Sequence, residues 1–295
     1  MMVDSSPLWT CEDGSVIKLL PLVYVGQPCK GNCSNVNPMI DSQNKEGCSF
    51  HLHPFLEHRD RLIGELHRCV LASGADRLEG NCLCMLERTV RQDDSNDCAM
   101  QFIIKRGRKS TVRQNLFVLG CACSTILEVG FNAGHSAALL LFAGDVELER
   151  KDDIANKDDK GKRVYLGIDT CEHRYTAVCF DVLQKAYAGD VEMTLMIGDS
   201  REVLPSYSRA DNRQHFDLIH IDGGHSSRVA RADILNCQSF AGPETLVCVD
   251  DAQMKDVKKL LDEFVGDGLL HEVDYRRLGL IQTPVHRVFQ YRLDC

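Results

Sequence analysis

The chain has 295 residues, 44% of them apolar and 26% charged, with a formal net charge of −9. That composition can bury a core and excludes a chain disordered throughout, and the length suits one large domain or a core domain with an extension. The excess of acid over base points away from a general nucleic-acid or anionic-membrane binder.

The amino-terminal segment, MMVDSSPLWTCEDG, lacks the basic-then-apolar order of a secretion signal. The longest apolar run, Val16–Gly26, is broken by Lys18 and Pro21 and falls short of the roughly 18 residues of a membrane span. The expectation is a soluble, cytoplasmic protein with no membrane partner. Residues 26–47 are rich in Gly, Asn and Cys and read as loop. Cys29, Cys33 and Cys48 with His51 and His53 invite a zinc reading, but their spacing lacks the tight ligand pairs of established sites. Ordinary reduced thiols are expected. The fifteen cysteines of the chain are an odd number, a full set of disulfides is not expected, and Cys121, Cys179 and Cys248 sit in apolar segments as small hydrophobes.

Phe55, Leu56, Leu62, Ile63, Leu66, Cys69 and Val70 recur at three- and four-residue steps, which predicts an amphipathic helix packed over a sheet or at a dimer contact. A second, shorter helix is expected within Leu78–Val90. Lys105, Arg106, Arg108 and Lys109 read as a solvated helix face. The division expected is an extension over residues 1–112, loop-rich and then helical, and a second unit over 113–295.

From residue 113 short apolar runs alternate with helical stretches. The predicted strands are 125–130, 163–169, 192–198, 216–222 and 245–251. The predicted helices between them are Ser136–Ala143, His173–Tyr187, Ser226–Phe240 and Gln253–Val265, and residues 271–293 hold two closing strands. Regular strand–helix alternation predicts an α/β fold, a mostly parallel sheet covered on both faces. Residues 145–162, almost without apolar content, read as a solvated loop.

In such a sheet ligands bind beyond the carboxyl ends of the strands. The first strand leads into Glu128, Gly130, Phe131, Asn132, Gly134 and Ser136, where glycines allow close backbone approach and a starting helix offers unpaired N–H groups. The glycines are four apart, which departs from the G-x-G-x-x-G of dinucleotide binders and counts against a nicotinamide or flavin cofactor. Asp169 ends the second strand, placed to accept bonds from ribose hydroxyls, and Gly198-Asp199-Ser200 follow the third. Asp222 ends the fourth strand, and Asp250 and Asp251 the fifth. Three carboxylates on one rim repel one another unless protons or a cation intervene, and oxygen donors of this kind suit Mg²⁺ or another hard divalent cation.

The run ILEVGFNAGHSAALLL, followed by GIDTCEHRY, GDS, FDLIHIDGGHS and VCVDD, resembles the class I S-adenosylmethionine-dependent methyltransferases, and within them the catechol- and macrocin-type, metal-dependent O-methyltransferases. The likeness covers about residues 113–295. It implies a Rossmann-like, seven-stranded sheet with S-adenosylmethionine across the strand ends. Glu128, Gly130, Asn132 and Ser136, with Phe131 and Gly134 of the same turn, would hold the methionine part, Asp169 the ribose, and Asp199 and Ser200 would lie near the adenine. By the same resemblance Asp222, Asp250 and Asp251 would bind the metal. His225 would stand where catechol-type members carry a basic proton acceptor; an imidazole suits that work at neutral pH. Against these roles, aspartates at strand ends also serve as turn and capping residues, and His135 and His220 read as structural or cofactor-adjacent. The acceptor implied is a small molecule bearing a hydroxyl, with residues 1–112 as cap or as a homodimer interface. The rivals weighed are an RNA or protein methyltransferase, with Lys105–Arg113 as a phosphate track in the RNA case, and a binding protein that has lost catalysis.

Overall fold

A computed structural model describes residues 8–10, 16–18, part of 62–73, 108–152, 163–209 and 214–293. The Gly/Asn/Cys-rich stretch, the Cys29–His53 group, the helix expected at Leu78–Val90, Lys105, Arg106 and residues 153–162 lie outside the described residues.

A short antiparallel ribbon pairs β1 (Leu8–Thr10) with β2 (Val16–Lys18). The main body begins with α1 (Arg108–Ala122) and β3 (Thr125–Val129), and continues through α2 (His135–Asp152), β4 (Arg163–Asp169), α3 (Thr176–Ala186), β5 (Val191–Ile197) and α4 (Ser200–Arg209). It ends with β6 (Phe216–Ile221), α5 (Ser227–Cys237), β7 (Ala241–Val249), α6 (Lys255–Gly266), β8 (Leu270–Glu272) and β9 (Arg287–Tyr291). The strands form one seven-stranded sheet in the order β5-β4-β3-β6-β7-β9-β8. Five are parallel, and the two closing strands pair antiparallel. This is the α/β sheet expected, with strand order reversing beside β3, where β4 lies on one side and β6 on the other.

Alternation along the strands sends side chains to two cores. Ile126, Tyr165, Leu218, Leu246, Cys248 and Val288 face one, packed under α1, α2 and α3. Leu127, Val129, Leu166, Ile168, Ile219, Val247 and Phe289 face the other, under α4, α5 and α6. Leu62, Leu66 and Val70 of the amphipathic stretch join the first core, and the Cys179 thiol of α3 donates to the Leu66 carbonyl at 3.8 Å. Among the described residues no helix is long and apolar enough to cross a membrane.

Two expectations change. Residues 145–152 are not loop but the last two turns of α2. Glu147, Leu148, Glu149, Arg150 and Lys151 are strong helix formers, so a scarcity of apolar residues there does not mark the end of the helix. α4 was not expected at all, because Pro205 stands inside it and proline ordinarily breaks a helix interior. Leu204 is buried, and Val203 and Tyr207 pack on the second core, which holds the helix despite the proline.

Two contacts in this framework are open to direct test. α1 and α2 cross closely at Gly120, where a Cβ would lie 2.7 Å from the Leu140 carbonyl oxygen and 2.9 Å from the Ala143 Cβ. At the junction of α4 and α5, Ser200 Oγ donates to Asp233 Oδ1 at 2.5 Å, while the other oxygen of this buried carboxyl has no partner. Burial pushes the Asp233 carboxyl up to about 6, with the Ser200 bond pulling the other way.

Gly120→Ala gains helix propensity of about 1 kcal/mol but overpacks against a backbone that cannot turn aside, so urea unfolding is expected to show a net loss of about 1–2 kcal/mol. Asp233→Asn is expected to stabilise the protein in alkali and not in acid. Below pH 4 the carboxyl is protonated in both folded and unfolded chains. Between pH 4 and 6 the unfolded chain ionises first, so the wild type loses stability relative to the variant, and above pH 6 the gap levels off at about 3 kcal/mol. Unfolding curves at pH 4, 5, 6 and 8 check this; a gap independent of pH would contradict it.

Candidate functional site

Parallel β3, β4 and β6 end side by side, and their terminal backbone groups keep bonding past the last ladder pair. Gly130 N–H donates to the Ile168 carbonyl at 2.8 Å, Asp222 N–H to Val129 at 2.8 Å, and Asp250 N–H to Ile221 at 2.9 Å. The chain turns after β3 through Gly130 at φ +93°, and a Cβ there would stand 2.1 Å from the Asp222 carbonyl oxygen. Only glycine fits both the conformation and the space. The glycine turn and the residue ending β6 are thereby in direct contact.

The described non-glycine residues at positive φ are Asn132, Cys171 and Asp251, and each follows a strand end, of β3, β4 and β7 respectively. Each such conformation costs about 1–3 kcal/mol, and such residues cluster at ligand sites. Asp169 stitches two of these turns together: its Oδ2 accepts the Asn132 N–H at 2.8 Å and its Oδ1 the Cys171 N–H at 2.7 Å. A carboxylate offers about four lone-pair sites, so two remain for a ligand. The Asn132 side chain accepts from Tyr175 Oη at 2.8 Å, and the Tyr175 ring stacks on His173 with centroids 4.9 Å apart. Tyr175 and His173 belong to this rim and were not picked out in the sequence; their distance from Asn132 along the chain left no signal.

The other residues expected around the cofactor are more interior. Phe131 is 1% exposed and packs its ring edge-on to Tyr165 and Phe180. Gly134 lies against Phe131 and Leu183. Glu128 is wholly buried; it accepts from Ser136 Oγ at 2.5 Å, from the Tyr165 hydroxyl, and bonds His220 Nδ1 at 2.8 Å. Ser200 bonds Asp233, while Asp199 stands at the surface, held well down to about 2 by its bonds to Arg201.

The acids expected on one rim fall into two groups that share Asp222 and each include a histidine. Asp222, His225 and Asp251 each offer one ligand atom within 4.8 Å of the others, and so do His220, Asp222 and Asp250. His225 Nε2 lies 2.7 Å from Asp251 Oδ2, and Gln253 Nε2 donates to Asp251 Oδ1 at 2.7 Å. Burial, then the neighbouring Asp250 charge, pushes the Asp222 carboxyl well above the usual carboxylate range, and burial raises Asp250 too, against the pull of His220. For His220 burial works against the charged form, but the Glu128 bond and the charges of Glu128, Asp222 and Asp250 outweigh it and raise it to about 9. Across the sheet, His286 is pushed down to about 3 by burial and then by His220, and its Nε2 bonds Asn115 Nδ2 at 2.8 Å. His220, weighed in the sequence as a core residue, therefore bridges the core and the acid cluster. The arrangement is a backbone-lined turn beside a partly buried anionic pocket, suited to a polar ligand on one side and a cation on the other.

Residues 127–252 match the family model described as "Methyltransferase domain". No curated protein matches the chain. Similar solved structures include the apo form of CalS11, a TDP-rhamnose 3′-O-methyltransferase of calicheamicin biosynthesis (14% identity, 80% of this chain and 93% of that chain, TM-score 0.48). Others are the O-methyltransferase TomG from Streptomyces achromogenes, involved in tomaymycin synthesis, in complex with SAM (18% identity, 75% and 94%, TM-score 0.43), and an O-methyltransferase from Bacillus cereus in complex with SAH (12% identity, 76% and 99%, TM-score 0.42). The matched domain spans β3 to the turn after β7, the part of the sheet whose strand ends carry the glycine turn and the acids.

Proposed function

We propose that this chain is an S-adenosylmethionine-dependent methyltransferase that moves the methyl group of the cofactor to a hydroxyl oxygen of a small molecule, assisted by a divalent cation at the rim formed by Asp222, Asp250 and Asp251. The observation that carries the reading is adjacency: the Gly130 turn touches the Asp222 backbone, so a methyl donor on the turn and an acceptor on the acids share one space. The donor set fits a cation, since carboxylates from two strand ends converge and Asp250 Oδ1 is buried with no partner. A divalent cation held there lowers the pKa of a coordinated hydroxyl and fixes its direction.

This chain's own residues then divide the work. Gly130, Phe131, Asn132 and Gly134 present backbone to the methionine end, with Glu128 and Ser136 bracing the turn from below. Asp169 keeps two lone-pair sites for the ribose hydroxyls, and Asp199 and Ser200 border the adenine. With Nε2–H donating a hydrogen bond to Asp251, His225 has Nδ1 available to take the hydroxyl proton. Transfer is an in-line displacement, so rate comes mainly from holding the acceptor oxygen against the sulfonium methyl. The stretch containing Leu62, Leu66 and Val70 packs on the core beside α3, which supports a role for the amino-terminal residues in walling the acceptor pocket.

Calorimetric titration of S-adenosylmethionine, with Mg²⁺ and again with EDTA, is expected to show binding in both. Asp169→Ala should weaken that binding at least tenfold, by loss of two backbone anchors and the ribose acceptor. Asp250→Asn should leave it within about threefold, while removing Mg²⁺-dependent turnover of a panel of catechols and nucleotide-linked sugars. Equal loss of cofactor binding in both variants would overturn the division into two subsites. His225→Gln is expected to lower kcat by about 10²–10⁴-fold with little change in cofactor affinity. An unchanged rate would take His225 out of the reaction.

A further inference from the structure

Register sets Glu128 of β3 directly opposite His220 of β6. Their side chains meet on the buried face, His220 Nδ1 to Glu128 Oε1 at 2.8 Å. The His220 ring is 1% exposed, and its Nε2 is buried without a hydrogen-bond partner. On the rim side of the ring stand Asp222 and Asp250, and a ring nitrogen of His220 and one oxygen of each acid lie within 4.8 Å of one another. Asp250 Oδ1 is also buried and unpartnered. Buried polar atoms in native proteins are almost always paired with protein, water or an ion. Here a nitrogen of His220 and an oxygen of Asp250 lack partners within one group of three potential ligands.

The Glu128 bond gives this ring a particular chemistry. A carboxylate that accepts from Nδ1–H orients the ring and raises the basicity of Nε2, so that a cation bound there takes the place of the Nε2 proton; this is the support that metal-binding histidines characteristically have. The donors also differ from an all-oxygen shell. Carboxylates with water suit Mg²⁺ and Ca²⁺, whereas an added imidazole favours first-row transition ions.

We infer that His220, held by Glu128, is a nitrogen ligand of the cation site together with Asp222 and Asp250, and that the site therefore prefers a divalent transition ion such as Mn²⁺ to Mg²⁺. This rests on the cation-assisted reading above and refines it. Glu128 becomes a positioning residue acting through His220, and Ser136 ties it to the glycine turn. His225, paired with Asp251 at 2.7 Å, stays outside the inner ligand set and keeps its nitrogen for the acceptor's proton.

The test uses the full chain, stripped with chelator, saturated with S-adenosylmethionine and loaded with Mn²⁺. Pulsed electron paramagnetic resonance is expected to show coupling of the manganese to one directly bound ¹⁴N, replaced by a ¹⁵N pattern when histidine alone is isotopically labelled. His220→Gln should abolish the coupling and weaken Mn²⁺ binding at least tenfold, while His225→Gln keeps the coupling. Wild-type protein should bind Mn²⁺ at least tenfold more tightly than Mg²⁺ in calorimetry, and the ratio should collapse in His220→Gln. Bound Mn²⁺ with no nitrogen coupling would overturn the inference and leave the cation-assisted reading standing. Coupling lost in His225→Gln would overturn it as well. Absence of any Mn²⁺ or Mg²⁺ binding would overturn both. If His220→Gln fails to fold, the labelled wild type and His225→Gln still decide the matter.

Discussion

The contact between Gly130 and the Asp222 carbonyl is the constraint around which the site is organised. It exists because β3 and β6 are parallel neighbours in register from Ile126 and Leu218 to Val129 and Ile221. Each strand stops one residue before its turn, and the turns must then share a gap in which a single methyl group would stand 2.1 Å from an oxygen. Everything else at the rim follows from that closeness. Asp169 can bond the turns after β3 and β4 only because those turns lie side by side, and Asp250 reaches the same pocket because β7 continues the parallel run past β6. A loop-built site would need each of these distances fixed separately; here one sheet fixes them together.

The same register places a charged pair where charge is costly. Glu128 and His220 face each other across two central strands, with essentially no exposure. Burial alone would drive a carboxyl toward its neutral form and a histidine toward its own. Each instead satisfies the other, and Ser136 and Tyr165 fill the remaining capacity of the carboxylate. Breaking a buried pair by removing one member is far costlier than never having built it. Retention of such a pair in the middle of the sheet, rather than two aliphatic residues, is understandable if its far side serves the acid cluster.

Much of this was legible in the chain. The runs at 125–129, 163–169 and 216–221 announce themselves as central strands by their near-continuous apolar content, and the position of Asp169, Asp222 and Asp250 at or just beyond strand ends follows from that alone. The nearness of Asp222 to Asp250 followed from placing their strands as parallel neighbours. What was hidden has physical reasons. Pro205 masks α4, since local propensity argues against a helix that tertiary packing maintains. The charged end of α2 reads as loop because its sequence has no apolar periodicity, although its residues are good helix formers. The Glu128–His220 bond joins residues 92 apart, and only register across two strands shows that a histidine in an apolar run faces an acid.

The antiparallel strand β9 has a consequence of its own. It slots between β7 and β8, fastened by Arg287, which takes both Glu272 oxygens and also reaches Asp262 on α6. The five parallel strands therefore precede in synthesis the strand that covers their flank. Until β9 arrives, β7 presents an open row of backbone donors and acceptors at one edge of a sheet already able to pair. The chain thus completes its sheet from the inside of the last hairpin, and a chain that ended before residue 287 would have the sequence of its site-bearing strands but would leave the β7 edge open to pairing with another chain.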